Sequence, residues 1–370
     1  MRQPYSYLTK GMLTAGIIYM SAAMIISPSN SIDAASRALN ICGEIVIPTL
    51  FPFIFCGNML IALGVARLAS KLFSRMMHPV FGVSGAGALA FILGIISGYP
   101  VGAVCAISLY NSGECSKTEA EKMLAFCNNS GPMFIIGAVG TGMLGNYRLG
   151  VFLYLIHIFS AIICGVIFKN YQKNYPTRAL PPSRENAELK TAVLDIGAAV
   201  VKSVNTILLI CGFIIIFAVF TGSIPDFTLR NYLYSILEIT GGLAALLEEE
   251  TLNILPVTSF IIAFSGVSVM AQVYAVIKPS GLSIKPYLIG KVLQGCIAYF
   301  LTYFAMLITP IEEETFSKVL CQVSFQPSAA TIFAYSVATI GYLIIATTVV
   351  VAIGKIFTII GKVLHRKKLY

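Results

Sequence analysis

Only 11% of the 370 residues are charged, where a soluble globular chain carries about 25%. With 57% hydrophobic residues and a mean hydropathy of +0.84, an ordinary soluble domain is excluded. Histidine is scarce: His78, His157 and His365 stand far apart, none at zinc-motif spacing from another. The nine cysteines (Cys42, Cys56, Cys105, Cys115, Cys127, Cys164, Cys211, Cys296 and Cys321) include no C-x-x-C pair, so zinc or redox work is not indicated and buried packing is the simpler role. Catalytic signatures are missing too: G-x-S-x-G, H-E-x-x-H, the phosphate-cradling G-x-x-x-x-G-K-S/T and any carboxylate pair at matched depth. An enzyme, a metal site and a cofactor are therefore not expected, and neither is ATP-driven pumping within this chain.

What remains is apolar sequence in long runs. A spanning helix needs roughly 20 mainly apolar residues, and such segments occur near 11–27, 43–64, 84–110, 118–145, 149–168, 199–222, 253–278, 284–309 and 333–360. The first follows Arg2 and Lys10 without an A-x-A-like cleavage site, which predicts a retained helix rather than a secretory signal. The net charge of +9 is carried in the stretches flanking the apolar segments, as membrane orientation requires, so nucleic acid is not an expected partner and the lipid bilayer is. Lys169 to Lys202, with Lys173, Arg178, Arg184 and Lys190 and the Pro-rich PTRALPPS, forms the clearest basic connection and predicts a cytoplasmic linker.

The chain also resembles itself. Laying Ser97 over Ser265 aligns SGYPVGAVCAISLYNSGECSK (97–117) with SGVSVMAQVYAVIKPSGLSIK (265–285), matching Gly98 with Gly266, Val101 with Val269, Ala103 with Ala271, Ser112 with Ser280, Gly113 with Gly281 and Lys117 with Lys285. Each copy opens with Ser-Gly in apolar surroundings and closes with Ser-Gly before a polar turn. Arg67, Lys71 and Arg75 mark one cytoplasmic loop and Lys169 begins the next, yet three apolar segments lie between them. An even number of crossings requires one segment to enter and leave on the same face, and 84–110, interrupted at SGYP, is predicted to be that re-entrant hairpin. The leading helices 43–64 and 199–222 then cross in opposite directions, the plan of inverted-repeat transporters. The same scheme puts Arg366, Lys367 and Lys368 outside, so either 253–278 spans or that short tail is tolerated. The expected organisation is an N-terminal transmembrane helix and loop (1–40), a first repeat (41–170), the linker (171–198) and a second repeat (199–370).

Three breaks carry the functional expectation: SGYP (97–100), NNSGP (128–132) and SGVS (265–268). Ser or Gly followed by Pro suits a helix start, so half-helices should begin after Pro100, at Pro132 with Asn129 or Ser130 as cap, and after Ser265. Non-helical backbone at membrane depth survives only inside protein or beside a watery cavity, so the breaks should face inward together. Helix N-termini favour anions, and the side chains of Asn128, Asn129, Asn205, Gln272, Tyr99, Ser130 and Ser268 could add neutral donors. Pro48, Thr49, Pro52 and Asn58 should kink helix 43–64 beside the hairpin. Glu44, Glu238 and Lys202 are placed near segment ends, with snorkelling as their simplest account. Glu248–Glu250 and Glu312–Glu314 read as solvated loops without calcium-loop spacing.

FCNNSGPMFIIGAVGTGML (126–144), GIISGYPVGA (94–103) and IPTLFPFIFCGNML (47–60) together resemble the YlbJ (SpoVV-type) family of sporulation integral membrane proteins, within the nucleoside-recognition (Gate) domain superfamily. The resemblance covers most of the chain. It implies an all-α polytopic membrane protein with two inverted structural repeats and broken or re-entrant hairpins, like the core of concentrative nucleoside transporters. It implies residence in the outer forespore membrane of a spore former and transport of dipicolinic acid, with Ser97, Gly98, Tyr99, Asn128, Asn129, Ser130, Gly131, Asn205, Ser265, Gly266, Ser268 and Gln272 as the midplane site. A nucleoside or other small metabolite is the alternative cargo, and a non-transporting sporulation scaffold the alternative role. A homo-oligomer or other sporulation membrane proteins complete the expected partners. The second half has GKVLQGCIAYF (290–300) where NNSGP stands in the first, so an asymmetric site is implied. Dipicolinate is a dianion and no buried Arg pair offers a counter-charge, so helix ends are expected to supply much of it.

Overall fold

The computed structural model describes residues 5–172, 196–225, 229–247 and 254–308. Most of the basic linker, the two Glu-Glu-Glu runs, the apolar segment 333–360 and the C-terminal basic tail lie outside the described residues. Among those described there is helix and no strand, and four helices are long and apolar enough to cross a membrane: Tyr147–Phe168, Ile196–Gly222, Ile254–Ser280 and Lys285–Ile308. Two further spans arise if each of two bent pairs is counted as one.

Helix α1 (Tyr5–Ile26) meets α2 (Pro28–Ile41) at a bend of 110°, where Pro28 takes the first helical position and cannot donate to the preceding turn. A π-turn at Cys42–Val46 leads into α3 (Ile47–Ala62), which tolerates Pro52 inside it. Gly64, at φ 78, then turns the chain by 85° into α4 (Val65–Phe81). The sequence expectation of a basic loop over 67–75 is corrected here. Ala66, Ala69, Met77 and Val80 recur at helical spacing and are buried, so this stretch is an amphipathic helix.

Segment 84–110 is broken where expected. Helix α5 (Gly87–Ser97) ends at Gly98, whose φ 90 and ψ 179 suit glycine, and α6 (Val101–Asn111) starts directly after Pro100. The two lie side by side as a hairpin. Helix α7 (Lys117–Phe126) opens with a capping box in which Ser116 and Glu119 satisfy each other's backbone N–H groups. It breaks over 127–132 and resumes as a π-helix, Met133–Met143, a rare winding that is frequent at functional sites. Helix α8 (Tyr147–Phe168), capped by the Asn146 side chain, packs along that π-helix.

Helix α9 (Ile196–Gly222) lies against α2 and α3. The hairpin of α10 (Arg230–Leu237) and α11 (Ile239–Leu247) has no counterpart among the sequence expectations. Glu238 joins its two arms, accepting from the N–H groups of Thr240 (2.9 Å) and Gly241 (2.8 Å), so it caps α11 rather than snorkelling. Helix α12 (Ile254–Phe264) passes through Ser265 and Gly266, both left-handed at φ 71 and φ 78, into α13 (Gly266–Ile277). Unlike SGYP, this break interrupts the winding without folding the chain back, and Ile254–Ser280 continues as one span-length stretch. Its length and apolar character are those that the first of the two alternatives left by the charge pattern requires of 253–278. Helix α14 (Lys285–Ile308) returns beside α12 and also packs on α7 and α8. These four helices and the α5–α6 hairpin enclose the breaks, with Phe81 and Phe126 stacked at 4.7 Å beside them.

Candidate functional site

The breaks converge. Gly98 of SGYP and Gly131 of NNSGP touch through their backbones, since a Cβ on Gly98 would stand 2.9 Å from the Gly131 nitrogen. The Cys127 carbonyl, at the start of the second break, sits between Gly94 of α5 and Gly102 of α6, where a methyl group on either would overlap the oxygen. The third break joins through a side chain: the Tyr287 hydroxyl of α14 accepts from Asn128 Nδ2 at 3.3 Å and shares a 3.4 Å hydrogen bond with the Ser265 hydroxyl.

Helix spacing explains why α14 serves this role. Tyr287, Lys291 and Gln294 fall at i, i+4 and i+7 on one face, and all three are fully buried. Lys291 Nζ donates to Gln294 Oε1 at 2.9 Å and to the Ala263 carbonyl at 3.3 Å. Gln294 Nε2 donates to Asn129 Oδ1 at 3.0 Å and to the His157 carbonyl at 3.4 Å, while Asn129 Nδ2 donates to the Phe126 carbonyl at 2.7 Å. A chain of polar groups thus runs from an amine in α14 to the tip of the first-half break.

His157 of α8 closes the arrangement. The Ser130 backbone N–H donates to its Nε2 at 3.0 Å, which requires that nitrogen to carry a lone pair and puts the proton of the neutral ring on Nδ1. Among the described residues Nδ1 has no partner, and neither have the buried Tyr99 hydroxyl, Asn128 Oδ1 or Ser130 Oγ; beyond these four only Thr258 Oγ1 is so placed. Each such atom costs roughly 1–3 kcal/mol when left unsatisfied. Their concentration around the NNSGP break makes this cluster the candidate site. Replacing His157 by Phe removes the acceptor for Ser130 N–H, and thermal melting of purified protein is expected to show a loss of about 1–3 kcal/mol.

Of the residues singled out from sequence, Tyr99, Asn128, Asn129, Ser130 and Ser265 belong to this cluster, and Gly98, Gly131 and Gly266 shape its backbone. Ser97 is half-buried and returns its hydroxyl to the Leu93 carbonyl at 2.5 Å. Ser268 and Gln272 are buried on α13 and bond to each other at 3.4 Å. Asn205 is a correction: it is exposed on α9, because the buried stripe of that helix runs through Ser203, Ile207 and Ile210 and leaves residue 205 on another face. The expected side-chain caps are absent as well, since neither Asn129 nor Ser130 caps the Met133 helix; the Asn129 amide is turned to Gln294, and Ser130 meets His157 through its backbone N–H. Lys202, expected at the interface, reaches Ser108 Oγ at 3.2 Å, in a second group with Asn58 and Ser203.

His157, Tyr287, Lys291 and Gln294 were not singled out. Lys291 carried a usable signal, an ionisable residue inside an apolar span being a functional candidate by default. The absence of a buried Arg pair left helix ends to supply much of the counter-charge for an anion, and the structure places a buried lysine, Lys291, next to the breaks as well.

Compared with known proteins, the chain is 31% identical to a Bacillus subtilis (strain 168) protein described as sporulation integral membrane protein YlbJ, the match covering 80% of this chain and 82% of that one. No family model matches the chain, and no solved structure matches it.

Proposed function

The chain belongs to the YlbJ family of sporulation integral membrane proteins, and we propose that it is a carrier rather than an enzyme, moving dipicolinic acid across the outer forespore membrane during sporulation. The observation that carries this reading is Lys291: a fully buried amine bonded only to neutral acceptors, linked through Gln294 to a cluster with four unpartnered polar atoms. The ion pair found among the described residues, Arg67 with Glu114, is elsewhere. Holding that amine charged without a counter-charge costs several kcal/mol, and an anionic solute removes that cost. Tyr99 Oη, Ser130 Oγ and His157 Nδ1 are all able to donate to such an anion. Asn128 joins them if its amide is turned over, with the Tyr287 hydroxyl then donating to Oδ1.

The carrier reading includes two inverted repeats, 41–170 and 199–370, joined by the linker 171–198 and preceded by the helix and loop 1–40. It is supported by the way the offset that lays Ser97 on Ser265 equates α6 with α13 and α7 with α14, for each of these pairs packs together. Halves that meet in this way around midplane breaks suit alternating access by rocking, as in the Gate superfamily and the concentrative nucleoside transporter core.

Proteoliposomes containing only this protein are expected to take up labelled dipicolinate saturably. Dipicolinate is also expected to raise the melting temperature where nucleosides do not, because a ligand held by the native state alone stabilises it. Nucleoside flux in place of dipicolinate flux transfers the site to the alternative cargo. No flux from a folded protein leaves the scaffold role.

A further inference from the structure

The carrier reading leaves α4 unused. This helix leaves α3 at 85°, so if α3 crosses the bilayer α4 runs nearly along its surface. Its packed face, Ala66, Ala69, Met77 and Val80, lies against the bundle. The remaining surface holds two adjacent stripes at helical spacing: Arg67, Lys71 and Arg75, and next to them Leu68 and Leu72, which lie between the basic stripe and the packed face. The leucines are 65% and 69% exposed. No acidic residue occurs in α4, and among the described residues only Arg67 of the basic stripe has an acidic partner, Glu114, at 2.9 Å.

An aqueous surface does not suit two large exposed aliphatic side chains on a helix already anchored by its other face. A bilayer interface does, because leucines entering the acyl boundary beside lysine and arginine at headgroup level form the arrangement of an interfacial amphipathic helix. Basic side chains in such a plane, not already paired with carboxylates, attract anionic headgroups. We propose that α4 is an interfacial helix that binds anionic phospholipid, with Lys71 and Arg75 holding the headgroup and Leu68 and Leu72 seated among the chains. Lipid binding at α4 does not depend on what the buried cluster carries.

The sequence contains no tryptophan, so Leu72→Trp makes a single indole reporter in the full-length protein, and Leu68→Trp a second should the first fold poorly. The reporter protein is reconstituted into mixed phosphatidylcholine and phosphatidylglycerol vesicles in which one lipid or the other is brominated. Quenching by brominated phosphatidylglycerol is expected to exceed its share of the lipid, with an enrichment on the order of 5-fold. Adding Lys71→Gln and Arg75→Gln should return quenching to that share. An indole quenched by neither lipid places α4 off the bilayer and overturns the proposal. Equal quenching by both lipids, or enrichment that survives loss of the two charges, removes the anionic-lipid site.

Discussion

Lys291→Met is expected to slow solute movement by roughly one to two orders of magnitude while leaving the protein as stable as before or more so. Lys291 is fully buried, and its amine bonds to the Ala263 carbonyl and Gln294 Oε1 without a carboxylate. Methionine fills nearly the same volume and removes the several kcal/mol that an uncompensated buried charge costs, which offsets the roughly 1–3 kcal/mol of leaving Gln294 Oε1 without its donor. A charge-assisted hydrogen bond to the solute is worth about 1.5–3 kcal/mol, so uptake of labelled dipicolinate should fall between roughly 10-fold and 150-fold. Stability and flux therefore move apart, which a merely structural lysine would not produce. Uptake at the unsubstituted rate in a well-folded Lys291→Met protein would remove Lys291 from the site, and with it the observation on which the carrier reading rests.

Gly102→Ala should act in the opposite sense, through the fold. A Cβ at Gly102 would overlap the Cys127 carbonyl and stand 2.7 Å from the Cys127 carbonyl carbon and 3.1 Å from Asn128 Cα, all of them backbone. No rotamer change relieves this, so the α5–α6 hairpin has to part from the NNSGP break. The expected loss is about 3 kcal/mol or more, a drop of roughly 10 °C in apparent melting temperature, with reduced protein in the membrane. Gly137→Ala provides the comparison, because a methyl group there would meet nothing within 4 Å, and it should melt like the unsubstituted protein. If Gly102→Ala does so too, the hairpin is not clamped on the break as described.

The places where helices stop were legible in the sequence. SGYP, NNSGP and SGVS each mark an interruption, and α6, the Met133 π-helix and α13 begin at Val101, Met133 and Gly266. These are local consequences of proline's missing N–H and of glycine's access to backbone angles closed to other residues. The direction the chain takes after a break was less legible: SGYP reverses it whereas Ser265-Gly266 carries it onward, although both open with the same two letters. Helix α4 was missed because its three basic residues mark a cytoplasmic flank as readily in a loop as in a helix.

Composition and local order alone were enough to make this a membrane protein of many apolar helices interrupted at particular points, because apolar run length and backbone preference act over a few residues at a time. The membership of the cluster was settled by packing, which brings Asn128, His157, Ser265 and Lys291 together and leaves Asn205 outside. Those four residues come from two breaks and two helices far apart in the chain, and their meeting depends on which helix faces turn inward when the helices pack. A helix presents every residue to some side, and its neighbours determine which side is buried.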